Sequence, residues 1–421
     1  MGVRCTELKN GITVVSERMD SAPSTTLGLW FDVGSRCERA DQAGLAHFME
    51  HMMFKGTPTR TAADISMHFD RLGASSNAFT GKECTCYYAR FVSEKLEPAL
   101  EVLADMVLHS EFAPDAIETE REVVLEEIVR SADQPDDCVF DLFTEALFVG
   151  DTLRRPVLGT KERVASFTHE DCVAFHRQHY VASNLVVAAA GSVDHDLLTD
   201  LVERLFAEMP TGERQSKPVV SLRPGTGVVA KAQDIEQAHL VLGFPWMGHG
   251  DARRFAGSLM TSILGGSMSS RLFQEVREKR GLVYSIYAMS YAYRGTGMWC
   301  VYAGTRPENV EETLGLTLAE IRRLVEEGFD ADELERNRDL VCGQLALSQE
   351  TTASRMNRIG RRQTLGLPHE TVEQMLDAYR SVTTEQVRQV AQEFLRAEPL
   401  LAVVSPLEAS KVERLFAAAC A

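Results

Sequence analysis

The segment YYARFVSEKLEPALEVLADMVL (residues 87–108) predicts a β-strand that runs directly into an amphipathic helix. A second segment with the same order of elements, WCVYAGTRPENVEETLGLTLAEIRRL (299–324), follows in the other half of the chain. Both strand patterns are rich in aromatic and β-branched residues, and both helix patterns repeat their apolar positions every three to four residues. This internal similarity indicates that the fold contains the same supersecondary unit twice.

Other elements of the two halves recur in the same order. A helix followed by glycine and a strand is indicated at HFDRLGASSNAFT (68–80) and at VREKRGLVYSIYA (276–288). Each half also ends in a hydrophobic strand, NLVVAAAG (184–191) and PLLAVVS (399–405). The spacing of strands is that of hairpins and meanders, so we predict an α+β fold with mainly antiparallel sheets packed against helices.

A segment rich in Pro, Gly and polar residues separates the two halves. Its sequence is MPTGERQSKPVVSLRPGTG (209–227), which is typical of a linker. We therefore predict a first domain over residues 1–210, a linker over 211–226 and a second domain over 227–421.

The composition is that of an ordinary globular chain, and its charge is strongly acidic. Of the 421 residues, 44% are hydrophobic and 25% are charged, and the net charge is −17. A chain of this length exceeds the usual limit for a single hydrophobic core, which again favours two domains. Nucleic-acid binding needs a basic surface, so we expect no nucleic-acid partner. The acidic excess favours cationic substrates, although a merely solvated acidic surface fits it equally well.

Features of targeting and of disulfide bonding are not found in the sequence. The N-terminal stretch 1–20 has neither the apolar core of a signal peptide nor the Arg- and Ser-rich pattern of a presequence. The apolar runs are shorter than a transmembrane helix requires. Cys84 and Cys86 alternate within a predicted strand, and no second cysteine pair completes a zinc site. We expect a bacterial-type cytoplasmic protein with reduced thiols and no membrane partner; an organellar chain whose presequence has been removed would show the same features.

The segment GLAHFMEHMMFKGT (44–57) places two imidazoles and a carboxylate in an apolar helix. Residues four apart differ by about 40° around a helix, so His47 and His51 share one face. Glu50 lies within the same arc. Two imidazoles on adjacent turns can bind one zinc ion, and the carboxylate beside them can take a proton from water. The order H-x-x-E-H is the inverted form of the zinc-peptidase motif.

The neighbours of these residues argue for a metal rather than a surface pair. Histidine and glutamate at helical spacing also form ordinary surface interactions. Here, however, the surrounding residues are Leu, Ala, Phe and Met. Polar groups buried among them would be unfavourable without a strong partner such as a metal ion.

A third ligand is expected from the acidic helix PDAIETEREVVLEEIVR (114–130), with Pro114 in its first turn. Glu120 and Glu127 are seven residues apart and share a face. Glu126 and Glu127 are adjacent, so only one of them can point at the metal, and their spacing does not decide which. Glu120 suits a role in orienting a ligand.

A second histidine cluster is a weaker candidate. His176 and His179 are three residues apart with no carboxylate between them, and His169 is nearby. Thr168 or Asp171 fits the cap of a helix at this point. We interpret the cluster as structural.

Four segments together resemble the pitrilysin family of inverted-motif zinc peptidases, and are most similar to its short members, the processing-peptidase type. They are GLAHFMEHMMFKGT (44–57), SSNAFTGKECTCYYARF (75–91), EREVVLEEI (120–128) and LGGSMSSRLFQEVREKRGLVYSIYA (264–288). The resemblance extends over both halves and implies two homologous α/β-roll domains. The half without the H-x-x-E-H motif would hold no metal and would close the substrate chamber.

The resemblance also assigns roles to individual residues. It implies that His47, His51 and Glu127 bind Zn²⁺, that Glu50 activates water, and that Glu120 is the additional acidic residue of the site. Arg277 and Tyr284 would hold the substrate carbonyl from the other half and stabilise the oxyanion. The edge-strand residues Asn77, Ala78 and Phe79 would bind the peptide substrate as an added strand.

The activity implied is that of a zinc endopeptidase that cleaves unfolded or short peptides in a cleft between paired domains. Short members of the family work as paired chains, which implies a homodimer or a heterodimer with a similar chain. The alternative is a scaffold or assembly subunit, as in family members that have lost their ligands. All four residues of the metal motif are present here, which favours the enzyme.

Overall fold

The computed structural model describes residues 2–214 and 225–420. The strands are β1 Arg4–Glu7, β2 Thr13–Arg18, β3 Ser24–Phe31, β4 Gly56–Thr57, β5 Arg60–Thr61, β6 Ser75–Thr80, β7 Thr85–Val92, β8 Leu185–Gly191, β9 Gly227–Ala232, β10 Ala238–Trp246, β11 Val283–Tyr293, β12 Thr296–Thr305 and β13 Leu400–Ser405. The helices are α1 Leu45–Met52, α2 Ala62–Arg71, α3 Leu96–His109, α4 Pro114–Ala132, α5 Pro135–Leu147, α6 Lys161–Val164, α7 His169–His179, α8 His195–Leu205, α9 Arg254–Gly265, α10 Val310–Glu326, α11 Ala331–Ser348, α12 Thr352–Thr364, α13 Val372–Ser381, α14 Thr384–Phe394 and α15 Ala409–Cys420.

Two large sheets share a five-strand topology, to which the first sheet adds β1 at its edge. The first has the strand order β1-β2-β8-β3-β7-β6, and the second has the order β9-β13-β10-β12-β11. In each sheet the pair β2/β8 or β9/β13 is parallel, and the pairs that follow are antiparallel. Each sheet ends in a hairpin, β6–β7 or β11–β12, which leads into a helix. The predicted duplication and the α+β fold are therefore confirmed.

Each sheet packs one face on a large hydrophobic core. In the first sheet this core contains Phe48 of α1, Leu103 of α3 and Val124 of α4, and it also contains Leu29 of the central strand β3. A second core of the same kind packs α9, α10 and α14 on the other sheet. Apolar contacts on several sides thus hold helix α1, which carries the H-x-x-E-H motif, on the face of the first sheet that packs on this core.

The opposite face of each sheet is covered by a helix from the other half of the sequence. Helix α12 packs on β2, β3 and β8, where Met356 and Ile359 contact a cluster around Trp30. Helix α5 packs on β9, β10 and β13, where its apolar residues Val139, Phe143 and Leu147 recur every four positions. The exchange buries a sheet face that would otherwise expose apolar residues to water.

Because of this exchange, the compact units differ from the predicted domains in two segments. The first unit comprises the described residues of Met1–Arg130, Arg155–Pro218 and Leu347–Thr371. The second unit comprises those of Ser131–Arg154, Val219–Ala346 and Val372–Ala421. Most of the predicted linker, residues 215–224, lies outside the described residues. Within the described part of the chain, every helix is too short or too polar to cross a membrane.

Candidate metal centre

The motif helix α1 is fixed at its N-terminus by a buried carboxylate. Glu38 is 2% exposed, and its two oxygens accept the backbone N–H groups of Gly44 at 3.0 Å and Ala46 at 2.8 Å. These are two of the donors that a helix start leaves without an intrahelical partner. Gly44 has a φ of +97°, and a Cβ atom there would lie 2.7 Å from the carbonyl oxygen of Leu158. Only glycine fits this position.

The structure brings His47, His51 and Glu127 together, as the sequence predicts. Their ligand atoms all lie within 4.8 Å of one another. Oε2 of Glu127 is 3.7 Å from Nε2 of His47 and 3.6 Å from Nε2 of His51. These separations are too long for hydrogen bonds. Nitrogen and oxygen ligands about 2.1 Å from a tetrahedral zinc ion are about 3.4 Å apart, so a small shift would let this group hold zinc.

Helix α4 presents Glu127 and not Glu126 to this group. Its buried residues Ile117, Glu120 and Val124 form one stripe, and Glu127 continues that stripe at a spacing of three residues. Glu126 is exposed on another face. The apolar pair Ile117 and Val124 was the sequence signal that could have distinguished the two glutamates.

Glu120 contacts the ring nitrogen of His51 that does not face Glu127. It is 4% exposed, and its Oε2 lies 3.1 Å from Nδ1 of His51. Since a carboxylate only accepts, the Nδ1–H group of His51 donates and leaves Nε2 free to face Glu127. The other oxygen, Oε1, lies 2.5 Å from Nζ of Lys55. The predicted orienting role of Glu120 therefore has a geometric basis.

Burial sets the protonation of His47. The side chain is largely buried, and this burial, together with the nearby His51, lowers the pKa of His47 to about 4. The imidazole is therefore neutral near pH 7, which is the form that binds a metal ion. Unlike His51, His47 has an Nδ1 atom that is buried without a hydrogen-bond partner in the described part of the protein.

Glu50 lies beside the two histidines in a partly buried position. Burial raises the pKa of its carboxyl group, while a hydrogen bond with the Thr80 hydroxyl and the nearby His51 lower it. Its Oε2 atom is buried and has no hydrogen-bond partner among the described residues. A carboxylate with a raised pKa and an unused acceptor atom is suited to take a proton from water.

The strand that carries Thr80 also contains the predicted peptide-binding residues. Among the described strands, β6 pairs only with β7 and forms the edge of the first sheet. The N–H group of Ala78 donates to the side-chain oxygen of its neighbour Asn77 at 2.8 Å. Phe79 packs against Trp30 on the face that α12 covers, with ring centroids 5.3 Å apart. An edge strand offers backbone donors and acceptors to an added strand.

Arg277 and Tyr284 lie next to each other in the second unit. Arg277 is in a π-helical turn, Phe273–Glu278, and its guanidinium lies 5.6 Å from the centre of the Tyr284 ring. Tyr284 is at the start of β11 and is 79% exposed. Rare π-helical turns are frequent at functional sites. The exposed Tyr284 ring and the half-buried Arg277 side chain thus form one group that could contact a substrate.

The second histidine cluster makes hydrogen bonds to the backbone. His169 donates through Nδ1 to the carbonyl of Phe112 at 2.9 Å, and His176 donates through Nε2 to the carbonyl of Val107 at 2.7 Å. Phe112 has a φ of +52°, which is strained for a bulky residue, and it lies just before α4. Thr168 and Asp171 form the capping box of α7. The cluster helps to fix the start of the helix that carries Glu127.

Three residues near the site were missed by sequence reasoning. Glu38 and Thr80 come from segments outside the motif helix, so their contacts depend on the tertiary fold. Lys55 lies within the quoted motif segment, but lysine is usually a solvated surface residue and the pattern does not mark it.

Sequence comparison matches both halves of the chain to profiles of one protein family. Residues 13–161 match the sequence profile described as Insulinase (Peptidase family M16), and residues 166–341 match the profile described as the Peptidase M16 inactive domain. A protein of Streptomyces coelicolor named an uncharacterized zinc protease is 40% identical over 98% of this chain and 92% of its own length. The uncharacterized zinc protease YmxG of Bacillus subtilis is 38% identical over 94% of this chain and 97% of its own length.

A solved structure has the same fold. The crystal structure titled peptidase M16 inactive domain, from Pseudomonas fluorescens, superposes with a TM-score of 0.91 and covers 97% of this chain and 99% of its own. The sequence identity is 23%, so this likeness supports the fold.

Proposed function

Because the chain belongs to peptidase family M16, we propose that it is a zinc-dependent endopeptidase that cleaves unfolded or short peptides. The observation that carries the proposal is the convergence of His47, His51 and Glu127, with Glu50 beside them. Two imidazoles and one carboxylate are a common ligand set of hydrolytic zinc sites, which keep a fourth position open.

In this proposal the residues of the first unit bind the metal and move the proton. His47, His51 and Glu127 hold the ion, which when bound supplies a Lewis acid that activates water and polarises the scissile carbonyl. Glu50 takes a proton from the attacking water and later delivers it to the leaving amine. Thr80 and the partial burial of Glu50 keep this carboxylate in place and at a useful pKa.

The substrate is proposed to bind in an extended conformation. Strand β6 has a free edge in the described part of the chain, and pairing with it would hold the peptide backbone at Asn77, Ala78 and Phe79. Such pairing requires a segment without secondary structure of its own, which supports unfolded or short peptides as the substrate class. The Arg277–Tyr284 pair of the second unit is proposed to donate hydrogen bonds to the substrate carbonyl as it becomes an oxyanion.

The test uses the purified full chain and a quenched, Arg-containing, unstructured peptide. Cleavage should stop with a chelator, return with added zinc and fall at least about 100-fold in Glu50→Gln, because general acid–base catalysis contributes that much. Glu127→Gln should lose both zinc and activity. The matched control is Glu126→Gln, which changes the adjacent exposed glutamate and should retain both.

Two results would contradict the proposal. A folded chain that does not bind zinc would exclude the metal centre. A zinc-loaded chain that does not cleave the peptide, alone or mixed with a homologous chain, would favour the alternative of an assembly subunit. We further propose that the chain works as a homodimer or as a heterodimer with a homologous chain, and light scattering of the purified chain alone distinguishes the two.

A further inference from the structure

Lys55 lies three residues beyond the end of helix α1 and points back to the metal centre. Its Nζ atom is 2.5 Å from Oε1 of Glu120, and its side chain is 32% exposed. The turn that places it there is hydrogen-bonded, since the backbone N–H group of Lys55 donates to the carbonyl of Met52 at 3.1 Å. The ammonium group therefore occupies a defined position between solvent and the buried carboxylate.

The two oxygens of Glu120 have different partners. Oε1 is paired with Lys55, and Oε2 accepts the Nδ1–H group of His51 at 3.1 Å. The Glu120 side chain is only 5% exposed. A carboxylate this deeply buried is unfavourable as an anion unless a positive charge compensates it. Lys55 supplies that charge within the described surroundings of the site.

The hydrogen bond between Glu120 and His51 also determines which ring nitrogen of His51 would bind the metal. With Nδ1 bonded to Glu120, the His51 ring directs Nε2 towards Glu127, 3.6 Å away. His47 has no equivalent support, because its Nδ1 atom is buried without a hydrogen-bond partner in the described part of the chain. In the described part of the chain, an outer carboxylate therefore orients His51 but not His47, and that carboxylate belongs to Glu120.

We propose that Lys55 is a positioning residue of the metal centre: it holds the Glu120 carboxylate as the partner of His51 and thereby strengthens metal binding. The inference rests on the proposed function only in taking His47, His51 and Glu127 as the metal ligands. Lys55 does not touch the ligand group directly and acts through one intervening side chain.

The experiment measures zinc affinity of the full chain by competition with a chromophoric chelator, without any peptide. Lys55→Met removes the charge and keeps most of the side-chain length, and it should weaken zinc binding about 10- to 100-fold, as loss of an outer partner typically does. Lys55→Arg keeps the positive charge beside Glu120, so its zinc affinity should stay within about 3-fold of that of the wild type. Lys411→Met is the control, because Lys411 is exposed on α15.

A double-mutant cycle separates this role from a general structural one. If Lys55 acts through Glu120, then Lys55→Met in a Glu120→Gln background should change zinc affinity by less than about 3-fold. Thermal unfolding of the zinc-free proteins establishes that each variant is folded, and Lys55→Gln replaces Lys55→Met if the latter is not.

Unchanged zinc affinity in the folded single variant would overturn the inference, and so would a loss that persists undiminished beside Glu120→Gln. Since no peptide is present, a failure of the proposed peptidase activity would leave these affinities unaffected. The two outcomes are therefore distinguishable.

Discussion

A Cβ atom added to Gly360 would lie 2.3 Å from Nε1 of Trp30, which is 1% exposed. Gly360 is on α12 and Trp30 is on β3. This contact therefore joins α12 to the face of the first sheet that lies opposite the core with α1. The same indole N–H group donates to the sulfur of Met356 at 3.2 Å, one turn earlier on α12. The close approach of this helix to the sheet depends on a residue without a side chain.

Gly360→Ala is expected to destabilise the protein. A Cβ atom this close would force the buried indole or the helix to shift, and this overpacking should lower the free energy of unfolding by about 1–3 kcal/mol. Urea unfolding followed by tryptophan fluorescence measures the change. Gly315→Ala is the matched control, since a Cβ atom on this α10 glycine meets no other residue within 4 Å. That control should be stabilised by about 0.5–1 kcal/mol because alanine favours helix. Equal effects at both positions would disprove the packing argument.

Tyr284→Phe is expected to slow the peptidase reaction without loss of zinc. If the hydroxyl donates to the oxyanion, its removal should reduce kcat by about 100- to 1,000-fold and leave KM nearly unchanged. Tyr291→Phe on the same strand, where the ring is 45% exposed, serves as the control and should keep wild-type kcat. A KM effect alone would indicate that Tyr284 binds substrate in the ground state and does not act on the transition state.

Ala78→Pro is expected to weaken peptide binding. The substitution removes a backbone N–H group that bonds within β6, to Asn77, so the ladder with β7 should be little disturbed. When substrate binds, this N–H group would leave Asn77 and pair with the peptide, so its loss should raise KM by about 3- to 10-fold. Ala78→Ser keeps the N–H group and should retain wild-type KM. If both variants have the same KM, the peptide does not pair at this position.

His176→Gln is expected to reduce the loss of stability in acid. Burial lowers the pKa of His176 below its ordinary value of about 6.5, although its hydrogen bond to Val107 raises it. The unfolded chain therefore binds a proton at His176 at higher pH than the folded chain does. The stability contributed by His176 is complete above pH 6.5 and declines as the pH falls below that value.

The measurement is the free energy of unfolding of His176→Gln and wild type between pH 5 and 7.5. The slope against pH should be shallower in the variant, by at most about 1.4 kcal/mol per pH unit for one proton. The amide of glutamine can still donate to the Val107 carbonyl, so the comparison keeps that bond. Parallel pH profiles would show that His176 is not part of the acid response.

The chemistry of the site could be predicted from a short stretch of sequence. His47, Glu50 and His51 are close in the chain, and the helical period alone places them on one face. The predicted duplication was also visible, because strand and helix patterns recur locally in both halves and produce two sheets of the same order. Neither prediction required knowledge of how distant segments meet.

The exchange of α5 and α12 could not be read from local patterns. Each helix has an apolar stripe, but a stripe does not specify which sheet it will cover. That choice depends on which sheet face is still exposed once the rest of the chain has packed, as the contact between Gly360 and Trp30 illustrates.

The ligand types and their order along the chain follow from local sequence alone, through side-chain chemistry and helix periodicity. Helix periodicity left Glu126 and Glu127 open and the family resemblance pointed to Glu127; the tertiary structure supplied the physical reason, because the rotation of α4 is set by the burial of Ile117 and Val124 in the core. It also decided that Lys55 meets Glu120. Such contacts join residues far apart in sequence, and packing of whole elements, not local spacing, brings them within a few ångströms.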